Sequence, residues 1–171
     1  ENKSNVVEGY KGFANGNSFI GEGLPLNTFY LYKYAGVEEG TGKPQWYMED
    51  GVTKTTTYSE AGQFLCGDPT PDLYGGFGTS LDFYGFDFSV ALTYSIGGLA
   101  YDSGYAGYMA SPTNTGGGKN FHKDILNSWT PDNTDTDIPR FQYNDQYTAA
   151  SSDRFLVNAS YLNLQNAQLG Y

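Results

Sequence analysis

The segment Asp72–Gly98 constrains the fold of this chain more than any other stretch. It reads DLYGGFGTSLDFYGFDFSVALTYSIGG, and its apolar residues fall largely on alternate positions on both sides of Tyr84-Gly85. Because successive strand side chains point to opposite faces, the pattern predicts two strands. The two-residue connection containing glycine predicts a tight antiparallel hairpin.

The two faces of this predicted hairpin differ in chemistry. The second strand, Phe86–Ile96, has eleven positions with an unbroken apolar face, and its other face is small and polar. A transmembrane strand needs about 9–11 residues, apolar toward lipid and polar toward the lumen, with aromatic residues near the interfaces. The segment meets these conditions, but a soluble two-layer sheet gives the same periodicity, so both readings stay open.

Composition supports an all-β fold in one domain. The 171 residues include 23 Gly, 16 Tyr and 11 Phe, which suit strands and turns better than helices. The formal charge of −10 argues against binding nucleic acid, which requires a basic face. Because Cys66 is the only cysteine, an intrachain disulfide and a cysteine metal cluster are both excluded.

The remaining segments predict further local structure. Leu162 and Leu164 share an apolar phase that moves to odd positions from Ala167 onward, which predicts a strand with a bulge or turn near Asn166. Phe121, Ile125 and Trp129 repeat every four residues and predict a short loop helix near 120–129. We also expect a loop or frayed strand over 1–18, strands over 28–34 and 44–48, and a flexible Gly-rich linker over 112–119.

Several aromatic and charged residues are candidates for contact with a substrate or partner. Aromatic rings suit the apolar face of a sugar, while neighbouring acids and amides bond its hydroxyls. Packing inside the loops, or a salt bridge for the arginine, is the alternative role of each. The candidates are Tyr101, Tyr105, Tyr108, Trp129, Asp132 and Arg140.

No pattern in the sequence indicates catalysis or a cofactor. His122 is the only histidine and no nucleophile motif accompanies it, so a packing or surface role is expected. The acidic cluster between Asp132 and Asp137 has alternating oxygen ligands that suit calcium, but Ile138-Pro139 replaces the glycine and terminal glutamate of a calcium loop. We therefore predict a solvated loop, no metal, no cofactor and no enzymatic activity.

Five segments, in this order, resemble the late barrel region of SusC/RagA-type TonB-linked (TonB-dependent) outer-membrane transporters. They are GEGLPLNTFYLYKYAGV, GKPQWY, the stretch GDPTPDLYGGFGTSLDFYGFDFSVALTYSIGGLAYDSGY, FHKDILNSWTPDNTDTDIPR and SSDRFLVNASYLNLQNAQLGY. The resemblance implies an antiparallel meander that forms part of a large transmembrane β-barrel with long extracellular loops. Residues 1–171 would then be a partial barrel domain, without the plug and the final strands.

The resemblance also implies a function. Members of this family import oligosaccharides or peptides across the outer membrane of Gram-negative bacteria, with TonB energy and a SusD-like surface lipoprotein. Outer-membrane lipid and the lipoprotein would contact this region, whereas the TonB complex would act through parts not in this chain. The alternative from composition alone is a secreted all-β carbohydrate-binding or adhesin module.

Overall fold

The structure, a computed structural model, describes residues 5–112, 120–145 and 147–171. Within these ranges short strands predominate. The strands are β1 Asn5–Val7, β2 Tyr10–Asn15, β3 Ser18–Gly21, β4 Thr28–Tyr32, β5 Tyr34–Val37, β6 Pro44–Tyr47, β7 Lys54–Thr55, β8 Gln63–Leu65, β9 Leu73–Phe83, β10 Phe86–Ile96, β11 Leu99–Tyr101, β12 Leu156–Asn158 and β13 Tyr161–Gly170. The α-helix α1 spans Ser103–Met109, and 3₁₀-helices span Tyr58–Glu60, Lys123–Asn127 and Asp153–Phe155.

The strands assemble into four sheets. One has the order β1-β2-β3-β4-β8, a second β5-β6-β7, a third β11-β12 and a fourth β13-β10-β9. Each strand pair with a defined register is antiparallel. The predicted all-β antiparallel class is therefore confirmed.

The chain divides into two compact units. Unit 1 comprises residues 1–66 and 101–156, and unit 2 comprises residues 67–100 and 157–171. Unit 1 contains the buried apolar side chains of the described residues, which come from its strands, from α1 and from the 3₁₀-helix Asp153–Phe155. Its most deeply buried side chains are Phe19, Leu31, Trp46 and Phe155.

The hairpin of unit 2 forms as its sequence predicts. Tyr84 and Gly85 both have positive φ angles, of 50° and 86°, which suits the tight turns that match the twist of paired strands. Phe86 pairs with Phe83 beside this turn, and the register continues without interruption to the far end of both strands. The eleven-residue extent of β10 agrees with the predicted span.

The third strand of unit 2 contains the predicted irregularity. Ala91 pairs with Asn166 while the next residue, Leu92, pairs with Leu164, so Gln165 is the extra residue of a β-bulge. Its side-chain Nε2 donates to Thr93 Oγ1 over 3.0 Å. The bulge returns the odd-numbered apolar residues of β13 to the same face as Leu164, which confirms the predicted change of phase.

The helix prediction near 120–129 is confirmed in location, although the element is a 3₁₀-helix. It begins after His122, whose ring nitrogen accepts the backbone N–H of Asp124 over 3.3 Å. The α-helix instead follows Asp102, whose carboxylate accepts the N–H of Tyr105 over 2.7 Å as an N-cap. None of the helices in the described ranges has the length and apolar character needed to cross a membrane.

The N-terminal prediction requires a correction. A loop or frayed strand is expected over 1–18, but β1, β2 and β3 form a paired meander. Its turns are marked by left-handed φ angles at Glu8, Gly9 and Gly16. These short strands are held by backbone hydrogen bonds and by turn residues. Because they are held in this way, the apolar alternation from which a strand is predicted is weak in their sequence. The Gly-rich linker predicted over 112–119 lies almost wholly outside the described residues.

Candidate functional site

Unit 1 carries an open cavity of about 500 Å³, which we call the loop pocket. Its lining combines two cations, one acid and two tyrosines with amides and small groups. Ligand sites in proteins are typically concave spaces of about 300–1,000 Å³ with a few convergent polar groups. The lining residues are Lys43, Pro44, Thr56, Arg140, Gln142, Tyr143, Asn144, Asp145 and Tyr147.

Arg140 is held in the loop pocket by its backbone and its side chain. Its N–H donates to the Gly42 carbonyl over 2.8 Å, and its Nη1 donates to the Thr41 carbonyl over 3.1 Å. Its Nε is buried and has no hydrogen-bond partner among the described residues. The guanidinium is therefore anchored by one neutral carbonyl oxygen, that of Thr41, and the backbone by another.

Tyr147 forms an aromatic wall that rests on the core of unit 1. Its ring centroid lies 5.7 Å from that of Tyr58 and 6.3 Å from that of Trp46. Trp46 is almost fully buried, whereas 48% of the Tyr147 surface is exposed. Aromatic contacts of this kind add about 0.5–1.5 kcal/mol beyond area burial and orient the ring. One side of the Tyr147 ring thus packs on the core, while the rest meets solvent.

The charges around the loop pocket are unevenly distributed. Lys43 and Arg140 face a single lining acid, Asp145. Asp145 Oδ1 accepts the N–H of Tyr147 over 3.1 Å, and the Asp145 carbonyl accepts the Thr148 hydroxyl over 3.4 Å. Across the described ranges, the contact within 4.0 Å between a basic nitrogen and a carboxylate oxygen joins His122 and Asp124, so neither pocket cation has a carboxylate partner there.

A second arginine stabilises the loops of unit 1. The Arg154 guanidinium carbon lies 5.3 Å from the ring centroids of both Tyr34 and Phe155, and its Nη1 donates to the Thr148 carbonyl over 3.3 Å. Burial lowers the pKa of Arg154 and raises the pKa of Tyr34 to about 12. The Tyr34 hydroxyl donates to the Asp137 carbonyl over 2.9 Å. These contacts tie three distant chain segments together.

The three predicted tyrosines lie away from the loop-pocket lining. Tyr101 ends β11, with its ring centroid 6.1 Å from that of Phe155. The Tyr105 hydroxyl donates to Asp124 Oδ2 over 3.0 Å. The pKa of Tyr105 is raised, chiefly by burial and then by this hydrogen bond. Tyr108 is 55% exposed and presents its ring to solvent. Whether any of them contacts a substrate stays a prediction.

The other three candidates occupy one loop system. Trp129 packs against Gly42, where an added Cβ would overlap the indole ring. Asp132 is exposed, and Arg140 lines the loop pocket. Of the six candidates, Arg140 is the one that this pocket includes. In the described part of the chain, no group of three or more acidic, histidine or cysteine side chains is arranged to hold a metal ion.

Sequence reasoning missed most of the loop pocket. Lys43 precedes a predicted strand, and Tyr143 and Tyr147 lie in a polar run that offered no periodicity. The sequence feature that could have indicated this site is a pair of tyrosines spaced four residues apart among Asn, Asp and Gln residues. The pocket itself arises because Arg140 meets Thr41, 99 residues earlier, which local patterns do not reveal.

The sheet of unit 2 is a second candidate surface, and we call it the apolar sheet. Leu92 lies between Phe77 on β9 and Leu164 on β13, and Phe88 lies between Leu81 and Leu169. On the opposite face, Thr93 lies between Gly76 and Asn163, and Ser89 lies between Ser80 and Gln168. One face is therefore apolar across three strands and the other is small and polar, as a lipid-facing wall requires.

Comparison with known proteins agrees with this geometry. The chain is 30% identical over 165 residues to the TonB-dependent receptor P3 of Formosa agariphila (strain DSM 15362 / KCTC 12365 / LMG 23005 / KMM 3901 / M-2Alg 35-1). The predicted resemblance to TonB-dependent transporters is confirmed. The structure of the RagAB peptide transporter matches with a TM-score of 0.69 and 30% identity. No family model matches the chain.

The extent of these matches shows how much of each relative the chain spans. The match covers 88% of this chain but 15% of the curated receptor, and 92% of this chain but 17% of the RagAB chain. The chain therefore spans less than a fifth of the length of these relatives. The structural match supports the predicted fold, an antiparallel segment of a barrel transporter. Both relatives carry receptor or transporter names.

Proposed function

We propose that the chain forms a wall segment and external loops of an outer-membrane nutrient importer in a Gram-negative bacterium. The observation that carries this proposal is the apolar sheet, with an apolar face over three strands and a polar face opposite. In hydrocarbon, such strands place apolar side chains toward lipid and leave small polar groups for the lumen. The role is passive in chemistry, because import needs no bond to be made or broken by these residues.

Energy and partners come from outside this chain in our proposal. TonB supplies the energy through other parts of the protein, and a SusD-like surface lipoprotein covers the external side. The substrate is an oligosaccharide or a peptide. A peptide is supported by the name of the solved relative, a peptide transporter. The exposed tyrosines of the loop pocket suit either class, since aromatic faces pack on sugars and on apolar side chains.

Uptake by cells tests the proposal. Cells that carry the whole gene should take up labelled tetra-alanine or labelled maltotetraose. Uptake should fall to background both in a gene deletion and in a strain without TonB. A complemented deletion strain serves as the control and should recover uptake. Uptake that is unchanged by both deletions would contradict the importer function.

A further inference from the structure

The loop pocket is basic within an acidic chain. The whole sequence has 9 Lys and Arg against 19 Asp and Glu, whereas the pocket has two cations against one acid. We propose that the loop pocket binds the carboxylate group of the imported nutrient between Arg140 and Lys43. The proposal rests on the importer function and names the chemical class that the pocket selects. That class comprises peptides with a free carboxylate and oligosaccharides with uronic acid units.

Arg140 is preorganised for an anion. Its backbone N–H and its Nη1 are anchored on the carbonyls of Gly42 and Thr41 over 2.8 and 3.1 Å. Carbonyl oxygens satisfy hydrogen bonds but leave the positive charge unneutralised. A guanidinium pairs well with a carboxylate because its donors are planar and match the two oxygens. Because the side chain is already fixed, binding an anion orders little additional structure.

The acid of the loop pocket leaves this charge available. Asp145 Oδ1 already accepts the Tyr147 N–H over 3.1 Å, which holds the carboxylate against its own loop. Within the described residues, neither Arg140 nor Lys43 lies within 4.0 Å of an acidic oxygen. Lys43 is exposed, so its ammonium adds a second cation at the solvent side. A ligand carboxylate thus supplies a counter-charge in direct contact, which the described residues do not supply within 4.0 Å of either cation.

The remaining lining fits the rest of such a ligand. Tyr147 is supported by Tyr58 and Trp46 and keeps 48% of its surface exposed. An aromatic face of this kind packs against an apolar side chain or a sugar ring. A volume of about 500 Å³ accommodates one end of a short oligomer. The pocket is therefore large enough to bind the carboxylate end of a peptide or a single uronic acid unit of an oligosaccharide.

Binding to the purified full-length protein tests the carboxylate site. The peptide probes are N-acetyl-tetra-alanine with a free carboxylate and the same peptide with a C-terminal amide. The sugar probes are tetragalacturonate and maltotetraose, so the two arms distinguish peptide from acidic sugar. In one arm at least, the charged probe should bind about tenfold more tightly at low salt, and the preference should shrink at high salt.

Variants assign this preference to the loop pocket. Arg140→Gln and Lys43→Gln should each reduce the preference for the charged probe to about threefold or less. Arg140→Lys should retain part of it. Lys11→Gln, an exposed lysine outside the lining, is the matched control and should retain all of it. Should Arg140→Gln fold poorly, the exposed Lys43→Gln still decides the result.

Three results would overturn the carboxylate site. They are equal affinity for charged and neutral probes in both arms, no measurable binding of any probe, and an undiminished preference in both pocket variants. Uptake separates this inference from the importer function. TonB-dependent uptake together with equal binding of the charged and neutral probes would reject the carboxylate site alone. Carboxylate-selective binding without uptake would reject the importer function alone.

Discussion

Gly42 determines how Arg140 is presented in the loop pocket. Its φ angle of +71° lies in the left-handed region, and an added Cβ would overlap the Trp129 indole and lie 3.0 Å from Arg140 Cβ. Its carbonyl accepts the Arg140 N–H over 2.8 Å. Glycine is therefore favoured at position 42 for two reasons: it adopts the left-handed φ angle without strain, and it has no Cβ to overlap Trp129.

Gly42→Ala should destabilise unit 1 by about 2–4 kcal/mol, because left-handed strain and overlap with Trp129 add. Gly40→Ala is the matched control. Gly40 has a similar φ of +79° but nothing within 4 Å of an added Cβ. It should cost about 1–2 kcal/mol from backbone strain alone. Denaturant unfolding of the full-length protein in detergent measures both, and equal losses would refute the role of Trp129.

Asp153 predicts a pH dependence of stability. Burial raises its pKa above the ordinary value of 3.8, while its Oδ1 accepts the Tyr34 N–H over 2.7 Å. A raised native pKa means that the folded state holds the proton more tightly. Stability from this group therefore falls as pH rises from 3.8 through the raised value, and the cost is fully present above that value.

Asp153→Asn keeps the acceptor oxygen and removes the buried charge. The variant should gain stability relative to wild type at pH 7 and lose that advantage at about pH 3.5, which is below the ordinary Asp pKa of 3.8. Asp132→Asn, at an exposed position, is the control and should change stability little at either pH. Thermal unfolding at the two pH values measures this. A larger relative advantage at the acidic pH would reverse the assigned sign.

Individual site residues could be predicted only in part. Arg140 follows a proline in a polar loop, which made it a candidate, but its carbonyl partner at Thr41 lies 99 residues earlier. Lys43 and Tyr147 become pocket residues only because the chain folds so that Arg140 contacts Thr41. Tyr105 shows the converse, because its aromatic ring made it a candidate for sugar contact while its hydroxyl donates to Asp124.

At the scale of elements, the apolar sheet makes a paired prediction. Leu92→Arg places a charge between Phe77 and Leu164 on the apolar face, and Thr93→Arg places it on the polar face. An arginine facing lipid near mid-bilayer costs about 2–4 kcal/mol, so Leu92→Arg should weaken folding into lipid by that amount. Thr93→Arg should cost much less. Urea titration of the full-length protein in lipid vesicles compares them, and equal tolerance would argue against a lipid-facing Leu92.

The elements differ in how far sequence determines them. The β9–β10 hairpin and the bulge at Gln165 were predictable, because period-two alternation reports directly on strand faces and on a change of phase. The helices were harder. The segment at Lys123–Asn127 has helical spacing but forms a 3₁₀-helix. The tyrosine spacing in 101–111 is compatible with α1, but its starting point is set by the Asp102 N-cap, which spacing alone does not locate.

At the scale of the whole molecule, the apolar sheet separates the importer from a secreted carbohydrate-binding or adhesin module. Phe77 and Leu164 are 59% and 56% exposed, and further large apolar residues of β9 and β13 are similarly exposed. In the described structure, β9 and β13 each pair only with β10, which leaves one backbone edge of each strand without a partner. A secreted module would have to keep this apolar face and both edges in water.

Size-exclusion chromatography of residues 1–171, expressed alone and without detergent, tests the central claim most directly. We expect aggregation or a requirement for detergent, because neither the apolar face nor the strand edges are satisfied in water. Addition of detergent micelles should recover dispersed protein. A soluble monomer with a cooperative thermal unfolding transition in plain buffer would contradict the transporter-wall account and favour the secreted module.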